Sequence, residues 1–196
     1  MAELDALIAI YQAAMRPDPL QLPGRRSIME RHATYRGFRA LAALALTADA
    51  VAGPRQPVPA GPRQPGRPAQ IIGFGYGFPG ADGQWWHDVV AAALTARSGR
   101  ALATAWLSDS LEIAEMHVHP DFHRRGIGRN LMLGLAGGRR ERTAVLSTQD
   151  AQTPARHLYR SLGFADLLTG YSFPGTPVPY AVMGAALPLR PAAPRS

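Results

Sequence analysis

Between positions 117 and 130 the chain reads His-Val-His-Pro-Asp-Phe-His-Arg-Arg-Gly-Ile-Gly-Arg-Asn, a set of residues suited to holding a phosphate anion. The first N–H groups of a helix have no internal partner and lie at the positive end of its dipole, so a glycine turn that opens a helix makes an anion cradle. Gly126 and Gly128 have no Cβ, which lets a bulky diphosphate approach the main chain, and Arg124, Arg125 and Arg129 add positive charge. The elements needed to position this turn are in place. Leu111 to Val118 is an apolar run that reads as a strand, His119-Pro120-Asp121 breaks it, and Leu131 to Leu135 continues as a helix.

Two nucleotide cradles fit poorly. The Walker loop requires a lysine, and the chain has none. A G-x-G-x-x-G pattern occurs at Gly75-Tyr-Gly-Phe-Pro-Gly80, but Phe74, Tyr76 and Phe78 alternate with the glycines at the period of a strand, and Pro79 with Asp82-Gly83 makes a turn there instead of opening a helix.

The remaining turn, His123-Arg-Arg-Gly-Ile-Gly128, resembles motif A (Q/R-x-x-G-x-G/A) of the GNAT superfamily of N-acetyltransferases, with His in the first place. A second segment, Gln152-Thr-Pro-Ala-Arg-His-Leu-Tyr-Arg-Ser-Leu-Gly-Phe164, is similar to the family's N-x-x-A-x-x-L-Y-x-x-x-G-F helix, with Gln for Asn. With the surrounding strands the two cover roughly residues 110–187, so the N-terminal half is assigned by position alone.

The resemblance implies an α+β fold, a GNAT-like mixed, mostly antiparallel central sheet flanked by helices on both faces. It also implies acetyl-CoA as acyl donor. On this reading Met116, His117 and Val118 run beside the pantetheine, while His123, Arg124, Arg125, Gly126, Ile127, Gly128, Arg129 and Gln152 complete the cofactor site. Acetyl transfer to an amine needs a held thioester, donors for its oxyanion, a base for the ammonium and an acid for the leaving thiolate. Tyr159 stands at the motif position of that acid. Glu115 and Glu112 are the catalytic candidates for the base, with His117 beside them. Strict alternation sets 112, 114, 116 and 118 on one strand face and 113, 115 and 117 on the other, unless a bulge shifts the phase. A salt bridge to one of the many arginines is the plainer role for either glutamate.

The spacing of His117, His119 and His123 resembles a metal triad, but the motif gives the last two other work, and no metal is expected. Trp85 and Trp86 open a helix outside both motifs. They are expected to pack as a lid or, if functional, to line the acceptor side. The acceptor is a primary amine of a small molecule, or of a protein or peptide. The reading from a different class is a non-catalytic acyl-CoA-binding sensor or interaction module.

Composition bounds the rest. The 196 residues suit one domain with a core of its own, and zero cysteines remove disulfides, thiol catalysis and thiolate metal sites. The net charge of +7 comes from 21 arginines that are scattered without interleaved aromatics, so a nucleic-acid partner is not expected. No stretch is apolar and long enough for a membrane span. The N-terminus begins with Glu3 and Asp5 and carries Leu4, Leu7, Ile8, Tyr11 and Met15 at helical spacing, an amphipathic helix rather than a signal peptide. A cytoplasmic protein is expected, and a homodimer is left open.

Further along, Ser27-x-x-Glu30 suggests a capping box for a second helix through Tyr35. Gly37 to Thr47 is Ala/Leu-rich, yet family order makes it a strand. Segment 50–69 repeats GPRQP, at 53–57 and 61–65, and is expected to be a mobile loop. Helices are expected at 83–97 and 100–107, a strand at 143–148, a helix from Pro154, and a closing hairpin of 164–173 with 180–187. One domain over 1–188 and a disordered tail at 189–196 complete the reading. The strand that usually precedes the family's first helix is not visible before Glu3.

Overall fold

The computed structural model describes residues 2–46, 69–176 and 178–190; all of the expected loop except Ala69 lies outside these, as does 191–196. Two helices come first, α1 (Ala2–Met15) and α2 (Leu22–Ala33). Strands β1 (Arg39–Leu46) and β2 (Ala69–Pro79) precede helices α3 (Trp85–Ser98) and α4 (Arg100–Leu107). Then follow β3 (Ser110–Val118), α5 (Ile127–Ala136), β4 (Thr143–Gln149), α6 (Pro154–Ser161), β5 (Ala165–Tyr171) and β6 (Tyr180–Ala186). The strands form one sheet in the order β1-β2-β3-β4-β6-β5, antiparallel everywhere except at β3–β4. The α+β expectation holds.

The alternation in β2 explains the layering. Phe74, Tyr76 and Phe78 form one buried row, packed with Ile10 and Tyr11 of α1 and Met29 of α2. The glycines between them face α5. A Cβ at Gly75 would stand 3.1 Å from Leu135 Cδ1 and 2.8 Å from Met116 Cε, so small residues let α5 settle close to the sheet. Leu111, Ile113, Met132, Leu135, Leu146 and Tyr159 share the core beneath α5 and α6. On the opposite face of the other half-sheet, α3 and α4 bury Val90, Leu94 and Leu107 against Val145 and Val182.

Three details differ from the sequence reading. Ser27 does not open a helix: α2 begins at Leu22 with Pro23 in its first turn, where a missing N–H costs little, and the Ser27 hydroxyl donates to the Pro23 carbonyl at 3.2 Å. Leu189, expected in the tail, packs against the core beneath α6. Strict alternation also fails in β3. Tyr76 pairs with Glu115 but Gly77 pairs with Ile113, so Ala114 bulges. The strand at 37–47 is present as β1, and among the described residues no strand precedes α1.

Candidate active site

The turn before α5 takes the form its sequence demands. Gly126 sits at the N-cap with φ +75°, and Arg124 also adopts a positive φ of 63°. The first intrahelical bond of α5 runs from the Asn130 N–H to the Gly126 carbonyl at 3.0 Å, which leaves the N–H groups of Ile127, Gly128 and Arg129 outside the helix ladder. Arg124 and Arg125 are exposed on this turn, and Arg129 is half-buried with its guanidinium 3.3 Å from the Ser161 hydroxyl of α6. His123 serves the turn's shape: its Nε2 lies 2.8 Å from the Val118 carbonyl and ties the loop to the end of β3. Donors, charge and an open approach therefore coincide at 124–129, a fit for a diphosphate.

Beside this cradle the sheet opens. Strands β3 and β4 pair in parallel only from Ser110–Thr143 through Glu112–Val145. Past that point the β3 backbone facing β4 has no strand partner among the described residues, and an extended amide-bearing chain can add to such an edge. Met116 and Val118 turn their side chains toward α5, where Val118 packs with Ile127 and Phe122. The segment's backbone edge, rather than these side chains, lies open beside the cradle.

The bulge at Ala114 gathers the acidic side chains. Cross-strand pairing sets Phe78 opposite Glu112, Tyr76 opposite Glu115 and Phe74 opposite His117, so all three polar residues share the face under α1 and α2. Glu115 is buried and saturated. One oxygen accepts from the Arg25 guanidinium of α2 at 2.7 Å, and the other is hydrogen-bonded to His117 Nε2. Burial alone would lift its pKa, but His117 and Arg25 outweigh that and hold it below the usual carboxylate range. Arg25 lies 4.8 Å over the Tyr11 ring, whose plane meets His117 edge-on at 5.2 Å. Glu112 is the opposite case. It is 4 % exposed, its Oε2 has no hydrogen-bond partner among the described residues, and burial pushes its pKa up to about 8. One carboxylate is thus charged at neutral pH and the other protonated. Behind them, His32 of α2 lies 3.1 Å from the Tyr76 hydroxyl, and burial lowers its pKa to about 4.

Tyr159 comes from the other side of the opening. Thr153 caps α6 by accepting from the Arg156 N–H at 3.1 Å, and Pro154 occupies the first turn. The Tyr159 ring is buried against Phe164, 5.9 Å between centroids. Burial, with the charge of Glu115 adding to it, raises its pKa to about 12, so the hydroxyl holds its proton at neutral pH. The residue that fixes α6 is Arg156, which the sequence did not single out. Its guanidinium is buried between Asp150, with which it is hydrogen-bonded, and Asp166 at 2.8 Å.

Gln152 is exposed before α6 and makes no hydrogen bond among the described residues. Trp86 packs on the core beneath α3 and α4, and its indole N–H donates to the Ser147 hydroxyl of β4 at 3.1 Å. Trp85 is 54 % exposed and leans on Phe173 at 6.0 Å. The three histidines spaced as a triad do not converge, because His117 engages Glu115, His119 Nδ1 accepts from the Asp121 N–H at 3.3 Å, and His123 serves the turn.

Residues 69–166 match the family model described as an acetyltransferase (GNAT) domain. The chain belongs to the GNAT acetyltransferase family. Its relatives include a GCN5-like protein acetyltransferase of Mycobacterium tuberculosis, 37% identical over 191 residues that cover 94% of this chain and 91% of that protein. Among solved structures, the ribosomal-protein-S18-alanine N-acetyltransferase of Escherichia coli superposes with a TM-score of 0.56 at 16% identity, covering 95% of this chain and 88% of that one. An aminoglycoside 6'-acetyltransferase type Ii superposes with a TM-score of 0.55 at 15% identity, covering 98% and 92%. These two share the GNAT fold with this chain. As a GNAT member it is an N-acetyltransferase, and no helix among its described residues is long and apolar enough to cross a membrane.

Proposed function

We propose that this N-acetyltransferase uses acetyl-CoA and passes the acetyl group to a primary amine by direct attack, in the cytoplasm. The observation that carries the reading is the parting of β3 from β4 after Glu112, next to a glycine–arginine cradle. The cradle's free N–H groups and Arg124, Arg125 and Arg129 take the diphosphate, and the pantetheine amides add to the open edge at Met116–Val118. A backbone N–H of that edge polarises the thioester carbonyl, and Tyr159 returns a proton to the departing thiolate. The ammonium proton leaves along the β3 row, where Glu115 and Glu112 are the sequence's candidates. A protein or peptide amine is the acceptor favoured by the likeness to the mycobacterial protein acetyltransferase. On this reading Trp85 and Trp86 line its path.

The test is thiol release from acetyl-CoA with a panel of peptides, polyamines, aminoglycosides and amino acids. Acceptor-dependent thiol release supports the reading. Coenzyme A binding with no thiol release on any amine favours a sensor.

A further inference from the structure

Of the three polar groups on the β3 row, two are poorly placed to take a proton from an acceptor held at the opening. Glu115 spends both oxygens, one on Arg25 at 2.7 Å and one on His117 Nε2. Glu112 is buried and lies where β3 is still paired with β4, short of the opening. His117 remains. Its Nε2 is engaged, while Nδ1 makes no hydrogen bond among the described residues. The ring is held on both sides, by Tyr11 edge-on at 5.2 Å and by Phe74 at 5.4 Å. It lies on the strand stretch that has left β4, beside the place proposed for the thioester.

We propose that His117 Nδ1 takes the proton of the acceptor ammonium, with Glu115 orienting the ring through Nε2 and Arg25 of α2 orienting Glu115. A carboxylate that accepts from one imidazole nitrogen fixes the tautomer with its lone pair on the other nitrogen and stabilises the imidazolium once formed. Arg25 is then a positioning residue, and it makes α2 part of the active site. Among the described residues, the charged or titratable groups that face the Glu115–His117 pair are Arg25 and His32 on α2, Tyr11 on α1, Tyr76 on β2 and Tyr159 on α6.

The step balances. The ammonium gives one proton to Nδ1, its lone pair forms the N–C bond, and the carbonyl becomes an oxyanion. On collapse the C–S bond breaks and sulfur takes the Tyr159 proton. The second amine proton passes to solvent, from which Tyr159 is reprotonated, and His117 also releases its proton there. The products are the amide, free coenzyme A and one net proton.

This inference rests on the transferase reading, so the wild-type protein is first assayed for thiol release on the amine panel. Single-turnover rates of wild type, His117→Gln and Arg25→Met are then compared on two acceptors. One is an ordinary alkyl amine, protonated at the assay pH. The other is an analogue whose electron-withdrawing substituent keeps its amine neutral there. His117→Gln is expected to slow the protonated amine by about 10²–10⁴-fold, the usual range for acid–base catalysis, and the neutral amine far less. Arg25→Met follows the same selective pattern with a smaller loss and an unchanged KM for acetyl-CoA. An equal loss on both amines, or no loss, overturns the inference and leaves the transferase reading standing. If wild type releases no thiol on any amine, the transferase reading fails and the inference fails with it.

Discussion

Glu112 and Glu115 face the same side of β3 although they stand three residues apart, because Ala114 bulges between them. Their environments drive them in opposite directions. Glu115 is ionised between Arg25 and His117, whereas Glu112 is kept neutral by burial without a partner. Paired acids with separated pKa values are a common route to distinct proton-handling roles in one site.

Glu112 ties stability to pH. Its folded pKa is raised from 4.5 to about 8, so the stability it contributes is fully present below pH 4.5 and is lost as pH rises toward 8. The slope is at most about 1.4 kcal/mol per pH unit in that window. Glu112→Gln is neutral at every pH and should remove this fall. Urea unfolding at pH 5 and pH 8 checks it: parallel pH dependence in wild type and variant would contradict the burial of a neutral carboxyl.

Coenzyme A binding should be lost in Gly126→Asp and Gly128→Glu. Each puts negative charge where a diphosphate would meet free N–H groups. The protein leaves a Cβ at Gly126 unobstructed, but φ +75° strains any L side chain, at a cost of about 1–2 kcal/mol. A Cβ at Gly128 would stand 3.2 Å from Leu158 Cδ2, the tip of a side chain able to shift. Both variants should therefore stay folded. Titration calorimetry giving wild-type affinity on a folded variant would remove the cradle from the account.

Tyr159→Phe should separate rate from stability. The hydroxyl makes no hydrogen bond among the described residues, so unfolding should change by no more than about 1 kcal/mol, the usual net worth of one hydrogen bond. A thiolate denied its acid should slow single turnover by about 10²–10⁴-fold, with acetyl-CoA affinity kept. A single-turnover rate equal to wild type across pH would leave Tyr159 as packing alone.

Arg156→Met should cost stability rather than chemistry first. It strands the carboxylates of Asp150 and Asp166, and breaking a buried pair costs about 3–5 kcal/mol; the low end applies here because both aspartates are partly exposed, at 20% and 28%. Both carboxyls lie below their usual pKa, so the stability they contribute is present above pH 3.8 and is lost as pH falls further. The variant should accordingly lose less than wild type on acidification. Acid unfolding curves that coincide in shape would contradict this.

The cradle was legible in the sequence because its chemistry is local. A strand, a basic glycine turn and a helix start lie within about twenty residues, and each part has a backbone reason for its composition. The Gly/aromatic alternation of β2 likewise announced a strand and excluded a cofactor loop, and the structure adds why: one face packs aromatics and the other admits α5. The partnership of Arg25 with Glu115 was not legible. It spans 90 residues and joins a helix to a central strand through one ion pair, with no local pattern to mark it. The place of the bulge at Ala114 was not legible, since a single extra residue leaves no periodic trace. Ser27 misled because a capping box needs a non-helical N-cap, and Pro23 had already started the helix four residues earlier.

The central claim is that acetyl-CoA is consumed in acylating an amine, and the most direct measurement follows both products together. Purified protein is incubated with acetyl-CoA and amine-bearing peptides, free thiol is titrated, and peptide mass is recorded. The account predicts thiol released in proportion to peptides that gain one acetyl group, only with protein and acceptor both present. Saturable coenzyme A binding without thiol release or peptide acetylation, on peptides and on small amines alike, would contradict it.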